Sequence, residues 1–164
     1  MQVGEARQLY VQGTGKEREM TPEEKEERIQ RALDLHKRRY NCAQCVACAC
    51  ADVVDADEAQ LFRLVEGFGG GMGRLTETCG ALSGGVVILG LANSDGCEVV
   101  RSKGATYQLS RRLVDEFDDK NGSTRCGEIK GLEGGPVLRS CNGCIEDAVR
   151  ITLDILEGER DECD

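Results

Sequence analysis

The segment that decides the fold is GFGGGMGRLTETCGALSGGVVILGLA, residues 67–92. It joins a glycine-rich loop to an apolar run of small residues, and Cys79 lies at the junction. The apolar run is predicted to form a helix with Thr78 as its N-cap, because a hydroxyl at that position accepts from an unpaired amide. Cys79 is then expected in the first turn, where the positive end of the helix dipole favours a thiolate.

One side of this predicted helix is nearly bare. Its small residues are Gly80, Ala81, Ser83, Gly84 and Gly85. A bare helix face lets another backbone or a cofactor approach closely. The face is therefore expected to pack inside the domain or against a second copy of the chain, which would make a homodimer.

Length and charge restrict the class of protein. The 164 residues suffice for one domain with a real core, and the net charge of −9 argues against nucleic acid as a partner. The N-terminus is polar and resembles no signal peptide. The longest apolar run, residues 81–92, is shorter than the roughly 18 residues of a membrane span. These features predict a soluble, cytoplasmic protein that does not span a membrane.

Helical periodicity recurs along the chain and predicts an all-α fold, a single compact domain of about five to six helices. Residues 1–20 are expected to be a flexible arm, 21–158 the helical domain and 159–164 a charged tail. The only histidine, His36, lies on an apolar stripe and is interpreted as a packed core residue.

Polar capping residues mark the predicted helix starts, among them Asn41 and Ser140. A long helix is predicted from about Cys97 to Lys120. The residues expected to face inward are Val100, Tyr107, Leu113, Val114 and Phe117. The glycine loop before Cys79 is not interpreted as a phosphate loop, since no strand precedes it and no GK[ST] follows it.

Cysteine is the anomaly of the composition. Without a signal peptide, a reducing cytosol favours metal binding or redox chemistry over a disulfide framework. The ten residues are Cys42, Cys45, Cys48, Cys50, Cys79, Cys97, Cys126, Cys141, Cys144 and Cys163. In the run 41–50, ligands three residues apart would splay around a helix, so at least half of its four cysteines are interpreted as small buried hydrophobes.

Four cysteines lie at or near predicted helix starts. They are Cys42 after Asn41, Cys79 after Thr78, Cys126 just after Ser123-Thr124, and Cys141 after Ser140. If these helix ends converge on a cysteine cluster, holding four thiolates at neutral pH costs roughly 8 kcal/mol before their mutual repulsion. A helix terminus returns only about 0.3–1 kcal/mol for each. Either a metal centre neutralises the thiolates or they pair as disulfides, and iron–sulfur clusters and zinc both accept four thiolates.

These residues resemble the family of redox-active proteins named for its cysteine pattern, C_GCAxxG_C_C. The matching features are Asn41-Cys42-Ala43-Gln44, the FGGGMG loop, Cys79-Gly80-Ala81-Leu82-Ser83-Gly84, Cys126 with Ile129 and Gly131, and Cys141 with Ile145 and Ala148. The resemblance covers about residues 29–157. It implies a small all-helical domain, a redox role, genes that lie beside those of transporters, and four signature cysteines that map to Cys42, Cys79, Cys126 and Cys141. Extra cysteines depart from the pattern and leave the choice between Cys141 and Cys144 open.

The leading hypothesis is an iron–sulfur protein for electron transfer or redox sensing. Its metal ligands are Cys42, Cys79, Cys126 and Cys141, with Cys144 and Cys45 in reserve. Backbone amides of the loop glycines Gly69, Gly70, Gly71 and Gly73 would lie near the cofactor and tune its potential. The redox partner protein and the substrate stay unknown.

Two alternatives stay open. The first is a metal-free thiol–disulfide oxidoreductase, with Cys79 as the catalytic attacking thiolate and Cys42 or Cys141 as its partner. The second is a structural zinc protein without redox activity. Whether the chain is an enzyme is undecided, because no histidine or carboxylate cluster accompanies the cysteines as an acid–base partner.

Overall fold

The computed structural model describes residues 20–161, with the backbone alone for 159–161. Within this range the chain forms seven α-helices: α1 (Pro22–Lys37), α2 (Cys42–Ala49), α3 (Glu58–Val65), α4 (Gly80–Asn93), α5 (Lys103–Asn121), α6 (Cys126–Ile129) and α7 (Cys141–Asp161). Short 3₁₀-helical turns cover Ala51–Val54 and Glu66–Phe68. An isolated antiparallel bridge, Thr78 with Arg125, is the only β pairing in residues 20–161. The predicted all-α fold is confirmed, with slightly more helices than expected.

Local capping chemistry explains where the helices begin. Thr21 accepts from the Glu24 amide at 3.2 Å, and the Glu24 carboxylate accepts from the Thr21 amide at 2.8 Å. Asn41 and Gln44 make the same reciprocal pair before α2, both at 3.0 Å. The Ser140 hydroxyl accepts from an amide in the first turn of α7 at 3.0 Å. The helix starts predicted at Asn41 and Ser140 are confirmed, and a cap of this kind stabilises a helix by about 1 kcal/mol.

Helix α4 lies at the centre of the bundle, in contact with α2, α5 and α7. Its glycines allow the neighbouring helices to pack closely against it. A Cβ on Gly84 would lie 2.7 Å from the Ala43 carbonyl oxygen of α2, and a Cβ on Gly85 would lie 2.6 Å from Thr152 Oγ1 of α7. The bare face predicted for this helix therefore packs inside the domain. No helix within residues 20–161 has both the length and the apolar character that a membrane span requires.

The cysteines of α2 and the residue that follows it are part of the core. Cys45, Cys48 and Cys50 are fully buried. The Cys45 thiol donates to the Tyr40 carbonyl at 3.5 Å, and the Cys48 thiol donates to the Glu58 carbonyl at 3.8 Å. Burial raises the pKa of Cys45 to about 12, of Cys48 to about 11 and of Cys50 to about 12. Their interpretation as small buried hydrophobes is confirmed.

The prediction for α5 is wrong at its start. The helix begins at Lys103 and not at Cys97, because residues 94–102 form turns, with Gly96 at a φ of 82°. Val100 is 74% exposed and Tyr107 is 63% exposed, so neither faces inward. The prediction is confirmed for Leu113 and Phe117, which are buried together with Leu109 at positions four residues apart.

Two further predictions need correction. His36 is half-buried and not a core residue, since its Nδ1 lies 2.6 Å from Asn142 Oδ1 at the start of α7. Helix α7 continues past Gly158 to Asp161, because a glycine weakens a helix interior by only about 0.5–1 kcal/mol and does not by itself end it. The predicted arm up to residue 19, and Cys163 in the predicted tail, lie outside the described residues.

Candidate functional site

Four helix starts meet at one place in the fold. Cys42, Cys126 and Cys141 are the first residues of α2, α6 and α7, and Cys79 immediately precedes α4. The thiols act electrostatically on one another: Cys42 with Cys79 and Cys141, and Cys126 with the other three. The structure therefore brings together the four cysteines that the helix starts singled out, although 37 residues separate Cys42 from Cys79 and 47 separate Cys79 from Cys126.

Two backbone hydrogen bonds hold Cys79 beside Cys126. The Cys79 amide donates to the Thr124 carbonyl at 2.8 Å, and the Cys126 amide donates to the Glu77 carbonyl at 2.9 Å. These bonds flank the isolated bridge described above, so the segments before α4 and α6 run antiparallel at this point. The bridge fixes two of the four candidate cysteines side by side.

The bridge also corrects the predicted start of α4. Thr78 is engaged in it and does not cap the helix. Cys79 itself occupies the N-cap position, and the helix begins at Gly80. The Cys79 sulfur is thereby directed at the open amides of the first turn, those of Ala81 and Leu82.

The glycine-rich loop wraps the site in a left-handed turn. Gly70, Gly71, Met72 and Gly73 have consecutive φ values of 57°, 54°, 54° and 75°. Left-handed backbone is costly for residues with a Cβ, so glycines at most of these positions make the turn accessible. The Gly70 amide donates to the sulfur of Cys42.

The four loop glycines named from the sequence differ in their distance from the sulfurs. Gly71 packs so closely that an added Cβ would lie 2.7 Å from the Cβ of Cys126. Gly69 lies against the side chain of Asn41, 2.5 Å from its Cγ on the same measure. Gly73 is exposed and has no neighbour within 4 Å of its Cβ position. Gly70 and Gly71 thus border the cysteines, and Gly73 faces solvent.

A glycine is also required at the start of α4. A Cβ on Gly80 would lie 2.7 Å from Cys42 Sγ and 2.8 Å from the Phe68 carbonyl oxygen. Both distances are shorter than real Cβ contacts. The absence of a side chain at position 80 therefore lets the Cys42 sulfur lie against the start of α4.

The surroundings of Cys79 favour its thiolate form. Hydrogen bonding to Cys144, together with the amides of Ala81 and Leu82, lowers the pKa of Cys79 to about 7. The same hydrogen bond, followed by burial, raises the pKa of Cys144. Burial raises the pKa of Cys42 and of Cys126.

Cys144 is a fifth thiol of the site and the hydrogen-bond partner of Cys79. It lies one turn after Cys141 on α7 and is 2% exposed. Its sulfur is also 3.8 Å from Oδ1 of the buried Asn121, at the end of α5. Cys45, the other reserve ligand, lies instead in the core.

Lys130 is the residue that sequence reasoning missed. Its ammonium group hydrogen-bonds Cys141 and interacts electrostatically with Cys126 and Cys42, and the Cys141 contact is the main reason why its pKa is raised. No sequence motif distinguishes Lys130 from the other lysines and arginines, of which the chain has 21 in total. Its position four residues after Cys126 is a usable signal, because that spacing puts both side chains on one face of a helical turn.

A buried carboxylate holds the start of α7 in place beside the site. Asp147 is 1% exposed, and its oxygens lie 3.1 Å from Lys120 Nζ and 2.9 Å from Arg139 Nη2. These two ion pairs tie α7 to the end of α5 and to the loop that precedes α7. They thereby fix the first turn of α7, which carries Cys141 and Cys144.

Within residues 20–161, no group of three or more histidine, cysteine, aspartate or glutamate side chains could hold a metal ion. A tetrahedral zinc with Zn–S bonds of about 2.3 Å draws its sulfurs to about 3.8 Å from one another.

Comparison with known proteins agrees with the cysteine pattern. A family model described as "Putative redox-active protein (C_GCAxxG_C_C)" matches residues 40–155. That range contains all five cysteines of the site and Lys130. No curated protein and no solved structure matches the chain. Because the match covers well over half of the 164 residues, the chain belongs to the C_GCAxxG_C_C family of redox-active proteins.

Proposed function

We propose that this protein binds an iron–sulfur cluster and uses it to transfer electrons or to sense redox state. The proposed ligands are Cys42, Cys79, Cys126 and Cys141. The observation that carries the proposal is the meeting of these four thiols, each from a different helix start, at one place. A bound cluster would accept and release single electrons.

The charge balance of the site supports a metal centre. Ionising Cys42, Cys126 and Cys141 beside Cys79 would place four negative charges in a mostly buried space, where Lys130 supplies one positive charge. Each ordinary thiol costs roughly 2 kcal/mol to ionise at neutral pH, before burial and repulsion are added. Iron offsets this cost because each thiolate bonds directly to a cation.

The chain supplies the donors that adjust a cluster's reduction potential. The Gly70 amide donates to the Cys42 sulfur, the amides of Ala81 and Leu82 face Cys79, and Lys130 donates to Cys141. Donors of this kind stabilise the added negative charge of the reduced state and so raise the potential.

The cellular setting forms part of the proposal. A reducing cytoplasm keeps thiols free to bind metal. We therefore place the protein in the cytoplasm, with a separate redox protein as its electron partner.

Anaerobic purification followed by iron and acid-labile sulfide analysis, with a visible spectrum, tests the function. We expect iron and sulfide in the wild-type protein, with charge-transfer absorption that is lost in Cys79→Ala. The matched control is Cys97→Ala, since Cys97 is exposed and does not belong to the site. Wild-type protein free of iron, or Cys79→Ala that retains its iron, would contradict the proposal. A Cys141→Ala and Cys144→Ala pair decides which of these two thiols is the ligand.

A further inference from the structure

The motif Asn41-Cys42-Ala43-Gln44 contains two amide side chains that the proposed cysteine ligands do not explain. Asn41 immediately precedes α2, and Gln44, which is 3% exposed, lies in its first turn. The two side-chain oxygens form the reciprocal pair of caps described above. That pair uses one end of each amide and leaves the two nitrogens free for other bonds.

Both amide nitrogens donate to backbone carbonyls outside α2. Asn41 Nδ2 donates to the Glu66 carbonyl at 2.9 Å, and Gln44 Nε2 donates to the Phe62 carbonyl at 3.1 Å. Phe62 lies in the last turn of α3, where carbonyls lack partners within the helix, and Glu66 begins the 3₁₀ turn that follows. One amide pair therefore caps the start of α2 and joins it to the end of α3.

The segment that follows, residues 66–71, lies between three helix starts of the cysteine site. A Cβ on Gly69 would lie 2.5 Å from Asn41 Cγ, so this glycine packs directly against the amide. A Cβ on Gly80, at the start of α4, would lie 3.2 Å from the Gly69 Cα. Gly71 packs against the first residue of α6, with 2.7 Å to the Cβ of that cysteine. The position of this segment is therefore coupled to the starts of α2, α4 and α6.

We propose that Asn41 is a positioning residue of the cysteine site, whose amide nitrogen holds residues 66–71 against the starts of α2, α4 and α6. The inference rests on the proposed function for the identity of the cofactor, whereas the position of the segment can be measured without metal. An amide is required at this position, because its oxygen accepts from a helix amide while its nitrogen donates to a carbonyl. Aspartate and serine also cap a helix, but neither has the amide nitrogen.

The position of the segment matters because of a donor that it carries. Gly70 lies between the glycines that pack on Asn41 and on α6, and its amide donates to the Cys42 sulfur. Donors to a ligand sulfur stabilise the added negative charge of a reduced cluster. A displaced segment should therefore lower the reduction potential of a bound cluster without removing a ligand.

Hydrogen exchange of the reduced, metal-free protein, measured by mass spectrometry, tests the positioning role. The Gly69 amide donates to the Glu66 carbonyl, which is the acceptor that Asn41 also holds. In Asn41→Asp and in Asn41→Ser, we expect exchange within residues 66–71 to accelerate about fivefold, the factor that corresponds to loss of one ordinary hydrogen bond. Exchange within α2 should stay near the wild-type rate, because both replacements cap the helix.

Redox titration of the iron-loaded protein adds a readout that a purely structural role would not move. Asn41→Ser should keep the wild-type iron content, since all four proposed ligands remain, and should lower the midpoint potential. The matched control is Asn93→Ser, which removes an amide donor to Thr106 Oγ1, 2.9 Å away at the other end of α4. That end lies about 20 Å along the helix axis from Gly80. The control should leave the potential and the exchange of residues 66–71 at their wild-type values.

Two results would overturn the proposal. One is wild-type exchange of residues 66–71 in both Asn41 variants, and the other is equal acceleration throughout the chain, which would show a general loss of stability. The two variants differ in charge, so agreement between them excludes an effect of the added carboxylate. Wild-type protein free of iron would contradict the iron–sulfur proposal and leave the exchange result intact, so the two failures are distinguishable.

Discussion

Replacing Gly80 by alanine is expected to damage the cysteine site and the stability of the fold together. The new Cβ would lie 2.7 Å from Cys42 Sγ, 2.8 Å from the Phe68 carbonyl oxygen and 3.2 Å from the Gly69 Cα. The sulfur can rotate away, but the other two atoms belong to the backbone, so the start of α4 must shift. Overpacking of this kind costs about 1–3 kcal/mol. Alanine's higher helix propensity returns less than about 1 kcal/mol.

The matched control is Gly90→Ala in the same helix. No atom lies within 4 Å of its Cβ position, so helix propensity acts alone there. Gly90→Ala should therefore stabilise the protein by about 0.5–1 kcal/mol. Denaturant unfolding of reduced, metal-free protein, followed by far-ultraviolet circular dichroism, measures both variants. A loss of about 1–2 kcal/mol in Gly80→Ala corresponds to a melting temperature lower by roughly 2–8 °C.

A second readout links this substitution to the site. The alkylation rate of Cys42 should change in Gly80→Ala, because its sulfur must leave its position against α4, and it should stay at the wild-type value in Gly90→Ala. Equal stability of the two variants, with equal Cys42 alkylation, would refute the close packing of Cys42 on the start of α4.

Three further substitutions follow from the same structure. Asp147→Asn should cost about 2 kcal/mol in chemical unfolding, because it removes the charged hydrogen-bond acceptor of Lys120 and Arg139, two cations that are partly exposed and can return to water. Its control, Glu116→Gln at an exposed pair, should cost less than about 1 kcal/mol. Lys130→Met should shift the pH midpoint of Cys126 alkylation upward in metal-free protein, since Lys130 opposes the rise that burial causes in the pKa of Cys126, and Lys130→Arg should preserve the wild-type midpoint. Burial raises the pKa of Cys50 to about 12 in the folded protein, whereas an unfolded thiol ionises at about 8.5. The contribution of this raised pKa to stability is therefore fully present below the unfolded pKa. It is lost as the pH rises toward the folded pKa. Cys50→Ala should therefore flatten the fall of unfolding free energy above about pH 9 by up to about 1.4 kcal/mol per pH unit, and an unchanged slope would contradict the buried state of this thiol.

The features that could be predicted from the sequence depend on residues close together along the chain. The capping residues before α2 and α7 are read directly from Asn41 and Ser140, because a cap and its partner amide lie within one turn of each other. The same signals placed Cys42 and Cys141 at helix starts. The convergence of the four cysteines followed from their shared position at those starts, with no knowledge of the contacts that bring them together.

Non-local contacts account for what was missed. Thr78 has a side chain that is typical of an N-cap residue. Its backbone instead pairs with Arg125, 47 residues away in sequence, and Cys79 occupies the N-cap position. Cys144 was only a reserve because its contact with Cys79 depends on how α7 packs on α4. Lys130 reaches Cys141 from across a loop. None of these contacts leaves a pattern in consecutive residues.

The backbone bridge beside the cysteines has a consequence for where the chain tolerates insertion. It joins the segment before α4 to the segment before α6. The chain from Gly80 to Arg125 therefore forms a loop whose two ends are held together at the site. The entropic cost of closing such a loop grows slowly, by about 0.6 kcal/mol for each doubling of the loop length. Residues 94–102, which connect α4 to α5 and expose Val100, are therefore a permissive place for a reporter or an affinity tag. The thiols would keep their mutual geometry while the connection grows.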